Sequence, residues 1–144
     1  MSMNYLKNLA LLVFTVFSTT FLIAQNKYSD QLVAEFLGSS KYENSLTNNP
    51  GLIEYLKIKS TQGYSIETVS PEKIIGIEPL PTVFYMKNKI SASQFATDVL
   101  TLNFNFLKYS FPTIEKGVFL LNPENNTVIV IYSNQQINSK MRNN

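Results

Sequence analysis

Apolar residues follow two different periods along this 144-residue chain, and the period changes at Tyr64. Between Asp30 and Tyr64 they recur every three to four positions, as on one face of a helix. Leu32 and Val33 are each followed by an apolar residue four positions later, and Gly38 interrupts the pattern. We therefore predict a short helix that Asp30 caps and that ends at Gly38.

A second helix is predicted from Asn49, with this asparagine as the cap and Pro50 at the first helical position. We expect it to end at Gly63. Its buried stripe is expected to consist of three apolar residues, Leu52, Tyr55 and Leu56. The segment between the two helices, Ser39–Asn48, is polar and is predicted to be a connector, with Tyr42 as the most exposed aromatic residue.

Strands are predicted where apolar residues alternate or where β-branched and aromatic residues cluster. The first runs from Tyr64 to Val69 with a period of two. Ile74–Ile77 is a further short candidate, ended by the prolines at positions 79 and 81. Thr82–Met86 is β-branched and aromatic, so it is a third candidate.

The best-defined helix start in the chain lies at Ser91. Ser91 and Gln94 fit a capping box, and Ile90 and Phe95 fit the hydrophobic staple that accompanies it. The apolar stripe continues through two further residues, Val99 and Leu102. We expect this helix to end near Thr101 and an irregular, extended segment to follow it.

The C-terminal part has the pattern of a β-hairpin. Val118–Leu121 and Thr127–Tyr132 are apolar runs separated by the turn-forming residues Asn122–Asn126. Neither run alternates, so both strands are expected to be buried on both faces, by helices or by a partner. Self-association through this hairpin, or binding of another protein, is one hypothesis that follows. Residues 134–144 are polar without a period and are predicted to be a disordered tail.

The N-terminus has the three parts of a secretory signal peptide. Lys7 precedes the apolar run Leu9–Ile23, and the small residue Ala24 stands before Gln25. We predict that residues 1–24 are a signal peptide cut between Ala24 and Gln25. A retained membrane anchor is the first alternative, but a spanning helix needs about 20 apolar residues. A buried core helix is the second.

The residue types that are missing limit the chemistry. The chain has no cysteine, which excludes a lipid-modified cysteine and disulfides, so the exported protein is not expected to be a lipoprotein. It has no histidine, which excludes Ser-His-Asp and Cys-His sites. Zinc loses both of its favoured ligand types. We therefore predict no metal site, no cofactor and no catalytic residue.

Charge argues against nucleic-acid binding. Removal of the signal peptide takes away Lys7 and no acid, which leaves 11 basic and 10 acidic residues. A nucleic-acid-binding surface needs a surplus of positive charge. Lysine outnumbers arginine eleven to one and asparagine is frequent, which is typical of AT-rich bacterial genes. The periplasm or the cell exterior is therefore the expected location, with membrane contact only through the signal peptide before cleavage.

One short motif resembles an enzyme signature. Ser70 and Lys73 match the S-x-x-K motif of serine β-lactamases and penicillin-binding proteins. The resemblance covers four residues, and the S-D-N and K-T-G partners are absent. The alternative interpretation, a serine cap followed by Pro71 at the first helical position, needs no catalysis and is favoured.

These patterns predict a single α+β domain at residues 25–133, with a small, mostly antiparallel sheet packed by about three helices. Three functional hypotheses remain. The first is an exported, non-catalytic binding or interaction module. The second is a small hydrolase or isomerase using carboxylate, lysine or tyrosine groups, which requires a pocket with two converging, perturbed ionisable residues. The third is a periplasmic inhibitor or immunity-like protein that presents Ser39–Asn48 as a protruding loop.

Overall fold

The computed structural model describes residues 28–80, 82–101, 104–111 and 116–142. The predicted signal peptide with its Ala24–Gln25 bond, and Leu102 of the predicted stripe, lie outside these residues. The described residues form an α+β fold with six helices and two three-stranded antiparallel sheets, which confirms the predicted class. None of these described helices has the length and apolar character needed to span a membrane.

The helices follow one another along the chain as α1 (helical over 28–37), α2 (Ser39–Asn48), α3 (Pro50–Gln62), α4 (Pro71–Ile74), α5 (Ala92–Asp98) and α6 (Asn134–Arg142). A 3-10 turn occupies Phe106–Lys108. The strands are β1 (Tyr64–Thr68), β2 (Val83–Tyr85), β3 (Asn88–Ile90), β4 (Tyr109–Ser110), β5 (Gly117–Asn122) and β6 (Thr127–Ile131). The first sheet has the order β1-β6-β5, and the second has the order β3-β2-β4.

Two helix starts that the sequence predicts are confirmed by their caps. The side chain of Asn49 accepts a hydrogen bond from the Leu52 N–H at 3.2 Å. The Ser91 hydroxyl accepts one from the Gln94 N–H at 3.1 Å. The Gln94 side chain donates to Asp98 at 2.7 Å, and no bond returns it to the Ser91 N–H. The capping box at α5 is therefore half formed.

The polar segment Ser39–Asn48 is helix α2, so its prediction as a connector was wrong. Gly38 has φ 83°, and this left-handed residue ends α1 and lets the next helix begin at once. Tyr42 is half-buried against the cluster of Val33 and its neighbours, which also corrects its predicted exposure. The helix forms without a side-chain cap, because packing against α3 stabilises it where local propensity does not.

Asp30 lies inside α1 and links three helices, so it is not the cap that the sequence predicts. Its Oδ1 atom accepts from the Tyr42 hydroxyl at 2.7 Å and pairs with the Lys57 ammonium at 2.8 Å. Burial acts to raise the pKa of Asp30, but the bonds from Lys57 and Tyr42 outweigh it, and the net pKa is lowered. Burial, followed by the bond to Asp30, raises the pKa of Tyr42 to about 12.

The buried face of α3 differs from the predicted stripe. Leu56 is buried as predicted, Tyr55 is half-buried and Leu52 is exposed. The other buried residues of the helix are Ile53, Ile58 and Ser60. The helix contacts α2, α6, β1 and the 3-10 turn, and these contacts on several sides widen its buried face beyond one stripe.

The C-terminal hairpin is confirmed, with β5 and β6 paired antiparallel. Val128 and Ile129 are neighbours on β6 and both are fully buried, so this central strand is covered on both faces as predicted. On β5 the prediction fails, because Val118 is 47% exposed while Phe119 is 8% exposed. The Leu120 N–H donates to the Glu78 carbonyl at 2.9 Å, which covers the outer edge of β5 at that point.

The candidate strand Ile74–Ile77 is a turn, so that prediction was wrong. Helix α4 ends at Ile74, and its neighbour Ile75 is 84% exposed. Gly76 has φ 89°, and the Ile77 N–H donates back to the Ile74 carbonyl at 3.0 Å. An apolar run here meets no partner strand, and a glycine in the left-handed region reverses the chain.

The C-terminal segment is an ordered helix, which corrects the predicted disordered tail. Ser133 and Gln136 form a complete capping box: the Gln136 N–H donates to the serine hydroxyl at 3.2 Å, and the Ser133 N–H donates to the glutamine Oε1 at 2.8 Å. Ile137 is 1% exposed on helix α6, which packs against α3. The burial of Ile137 and the cap therefore help to anchor a mostly polar helix.

The main core is aromatic and lies where the two sheets and α5 meet. Phe95 is fully buried, with its ring centroid 5.2 Å from Tyr109 and 5.5 Å from Phe111 in edge-to-face contacts. Phe104 stacks on Tyr109 at 4.9 Å. The segment that was expected to be irregular and extended thus contains the 3-10 turn, β4 and much of the core.

Gly63 ends α3 as predicted, and close approach is the reason that glycine is needed there. A Cβ atom at this position would clash with the Lys59 carbonyl oxygen and would lie 3.1 Å from the Phe106 ring. We expect Gly63→Ala to lower the free energy of unfolding by about 1–3 kcal/mol, measured by urea denaturation.

Gly51→Ala is the matched control on the same helix, since a Cβ atom there meets nothing within 4 Å. This change should raise the free energy of unfolding by up to about 1 kcal/mol, because alanine loses less backbone entropy than glycine. Equal effects of the two substitutions would contradict the steric explanation.

Candidate functional site

A cavity of about 410 Å³ lies where the end of α3, strand β4, the end of β6 and the start of α6 meet; we call it the Lys59 cavity. Its volume is within the range of small-molecule sites, roughly 300–1,000 Å³. The described residues that line it are Lys59, Phe106, Tyr109, Ser110, Phe111, Lys116, Ile131, Tyr132, Ser133, Asn134 and Gln135.

The walls of this cavity are held by contacts between distant parts of the chain. The Tyr55 hydroxyl donates to Asn134 at 2.8 Å and joins α3 to the first turn of α6. The Lys140 ammonium donates to the Gln62 carbonyl at 3.0 Å and lies 4.0 Å from the centroid of the Tyr132 ring. These contacts set the position of α6 beside the end of α3.

Lys59 is the charged group most enclosed by the cavity. It lies in the last turn of α3, and its Nζ atom is 5.7 Å from the centroid of the Tyr55 ring. Burial lowers the pKa of Lys59 from the ordinary lysine value of 10.5. No aspartate or glutamate is found among the described residues that line the cavity. The two ion pairs within the described parts of the chain join Lys57 to Asp30 and Lys108 to Glu35.

Two further features make the cavity positive. Lys116 is exposed at its rim. The cavity also contains the start of α6, where the N–H groups of Asn134 and Gln135 have no acceptor within the helix. The positive end of the helix dipole lies there. The cavity therefore combines positive charge with an aromatic wall.

A second cleft, of about 370 Å³, lies between α5, β2 and the 3-10 turn; we call it the Asp98 cleft. Asp98 accepts hydrogen bonds from the Gln94 side chain at 2.7 Å and from the Tyr109 hydroxyl at 3.1 Å. Burial, together with the bond and charge of Asp98, raises the pKa of Tyr109. Tyr109 also lines the Lys59 cavity, so this one ring is shared by the two sites.

The residues of the S-x-x-K motif do not take part in either site. Pro71 stands at the first helical position of α4 as predicted, but Ser70 makes no side-chain cap. A hydrogen bond from Ser70 lowers the pKa of the Glu72 carboxyl. Neither Ser70 nor Lys73 lines the Lys59 cavity or the Asp98 cleft. Within the described ranges, no cluster of three aspartate or glutamate side chains is placed to hold a metal ion.

None of the residues that form the two sites was predicted as a site residue from the sequence. Lys59 stands between the buried residues Ile58 and Ser60, and a lysine inside a buried segment is the signal that could have indicated it. Ser133 and Gln136 repeat the S-x-x-Q spacing of Ser91 and Gln94, so α6 could have been found by the rule used for α5. The protruding loop that the inhibitor hypothesis requires is helix α2 instead.

Comparison with family models, with curated proteins and with solved structures finds no match for this chain. The fold and its two polar cavities are therefore the basis on which a function can be proposed.

Proposed function

We propose that the protein is an exported, non-catalytic binding module and that the Lys59 cavity binds an anionic oxygen group, a carboxylate or a phosphate. The observation that carries this proposal is a half-buried lysine that faces no described carboxylate in a cavity of ligand size. The aromatic wall of Phe106 and Phe111 suits a ligand with an apolar part beside its anionic group.

An anion in the cavity would compensate for the burial of the Lys59 charge. Partial burial penalises the charged form of Lys59, and the lowered pKa reflects this penalty. An anion placed in the cavity would offset the penalty with a charge-assisted hydrogen bond, worth about 1.5–3 kcal/mol. The N–H groups of Asn134 and Gln135 could add to it, because helix N-termini favour anions.

The catalytic alternative has one observation in its favour, the lowered pKa of Lys59, since a lysine with a lowered pKa is a better nucleophile. A second group that converges on it is required. Tyr109 lines the same cavity, but its hydroxyl donates to Asp98 in the other cleft and its raised pKa makes it a poor proton carrier near neutral pH. We therefore place binding before catalysis.

The proposed export rests on residues 1–24, whose order of lysine, apolar run and small residue is that of a signal peptide. We propose release to the periplasm or the exterior, because cleavage after Ala24 would leave no cysteine that could carry a lipid. A partner surface is also proposed on the hairpin, where Val118 is the exposed apolar residue of β5.

The test of the anion site is a calorimetric titration of the exported protein. The intact mass of this protein should be that of a chain that begins at Gln25. Phenyl phosphate and benzoate serve as probes, and benzamide is the neutral counterpart of benzoate. We expect the two anions to bind. Lys59→Gln should lower their affinity about tenfold, which corresponds to about 1.4 kcal/mol of binding free energy. Lys41→Gln, on the exposed face of α2, should leave the affinity unchanged.

Two results would overturn this proposal. One is an affinity for the anions that is the same in the parent protein and in Lys59→Gln. The other is equal binding of benzamide and benzoate, which would show that charge is not recognised.

The pH dependence follows from the direction of the pKa shift. Because the pKa of folded Lys59 is lowered, its charge is lost at a pH below 10.5, and anion affinity should fall through that range. Lys59→Gln should remove this part of the fall. In the same window the unfolded chain still holds the proton, so the contribution of Lys59 to the free energy of unfolding should rise with pH up to 10.5.

A further inference from the structure

The Asp98 cleft contains a carboxylate whose charge is not neutralised by the cations around it. The two donors that Asp98 accepts from, the Gln94 amide and the Tyr109 hydroxyl, are both neutral. Each carboxylate oxygen takes one of these bonds, and a carboxylate has about four acceptor positions in total. Asp98 therefore has acceptor positions left for further donors, and neither of its two present donors is a cation.

The one described cation that lines this cleft is already paired. The Lys108 ammonium forms an ion pair with Glu35, outside the cleft lining. The hydrogen bond from Lys108 is the main cause that lowers the pKa of the Glu35 carboxyl, so the two charges compensate each other. The titratable groups that line the cleft are Tyr85, Asp98, Lys108 and Tyr109, and Asp98 is the uncompensated charge among them.

Three aromatic rings also line the cleft. Tyr85 is 36% exposed, and its centroid lies 5.2 Å from that of Tyr109 with an angle of 56° between the rings. Phe104 stacks on the other ring, Tyr109, and also lines the cleft. The faces of aromatic rings carry negative potential and attract cations, and an adjacent carboxylate adds to that attraction.

We propose that the Asp98 cleft binds an organic ammonium group, with Asp98 as its counter-charge and Tyr85 as the ring that covers it. This site is separate from the Lys59 cavity and does not depend on the function proposed for that cavity. Tyr109 lines both, so the proposed anion site and the proposed cation site have one residue in common.

The test uses choline as the probe and 3,3-dimethylbutan-1-ol as its neutral isostere, which has the same shape without the charge. Titrations of the full exported protein are followed by NMR at low and at high salt. We expect choline to bind and the isostere to bind at least about tenfold more weakly, since the carboxylate and the ring faces both act on charge.

Two variants separate the charge from the ring. Asp98→Asn keeps the size of the side chain and should lower the affinity for choline about tenfold. Tyr85→Ala removes an exposed ring and should weaken choline about threefold or more, since a cation–π contact is of that order. Glu43→Gln, at an exposed carboxylate of α2, is the matched control and should leave choline binding unchanged. Because choline and the anions are different probes, the two proposals fail independently.

Equal affinity for choline and its neutral isostere would overturn the proposal, because the cleft would then recognise shape alone. A Kd for choline weaker than about 10 mM would also overturn the proposal. If Asp98→Asn perturbs the fold, its thermal unfolding will reveal it, and Tyr85→Ala then decides. Choline affinity unchanged in Tyr85→Ala would contradict the role of the ring.

Discussion

Replacing Phe95 with alanine should lower the free energy of unfolding by about 3–5 kcal/mol, the largest effect we expect from a single substitution in this chain. Phe95 is fully buried, and its ring has edge-to-face contacts with Phe104, Tyr109 and Phe111. The loss combines the removed apolar area, the cavity left behind and the lost ring contacts.

Urea denaturation measures this effect, and Leu100→Ala is the control. Leu100 follows the same helix, α5, but is 70% exposed, so its truncation should change the free energy of unfolding by less than about 0.5 kcal/mol. A change below about 1 kcal/mol in Phe95→Ala would contradict the position of this ring at the centre of the core.

Replacing Ile137 with alanine should lower the free energy of unfolding by about 2–5 kcal/mol. The residue is 1% exposed on a helix that is otherwise polar, so its burial is the main apolar attachment of α6. The cap residue Ser133 and the first two residues of this helix line the Lys59 cavity. If α6 no longer packs against α3, the affinity for the anion probes should fall together with the stability of the fold.

The neighbouring substitution Asn138→Ala is the control for Ile137, because Asn138 is exposed on the same helix. It should leave the free energy of unfolding unchanged or raise it by a few tenths of a kcal/mol, since alanine is the better helix former. If the tail were disordered, neither Ile137→Ala nor Asn138→Ala would change the free energy of unfolding. That outcome would contradict the packing of α6 on α3.

The elements that were predicted well are those whose causes are local. Asn49 and Ser91 cap the helices that follow them through bonds to residues three positions away. The hairpin follows from two apolar runs and five turn-forming residues between them. In each case the determining contacts lie within a few residues, so the sequence pattern contains them.

The elements that were predicted wrongly depend on distant contacts. Helix α2 is polar along most of its length and is stabilised by Tyr42 packing on α1 and α3. Helix α6 depends on Ile137 meeting α3, which lies some 80 residues earlier. For Ile74–Ile77 the error was the reverse, since a strand was predicted where none forms. An apolar segment without a partner strand does not form a sheet.

The two candidate sites show the same limit at the level of chemistry. The sequence excludes histidine and cysteine chemistry, because these residues are absent. It does not reveal the Lys59 cavity, which is assembled from α3, β4, β6 and α6. Nor does it show that Asp98 accepts from Tyr109, eleven positions later, across a cleft.

The sequence by itself determined the α+β class, the caps at Asn49 and Ser91, the C-terminal hairpin and the chemistries that are excluded. Only the tertiary structure decided that Ser39–Asn48 and residues 134–142 are helices, and that Lys59 and Asp98 lie in cavities. The physical reason is one of range. A cap or a turn is stabilised by neighbours along the chain, whereas a buried lysine or a docked polar helix owes its environment to residues that folding brings from far away.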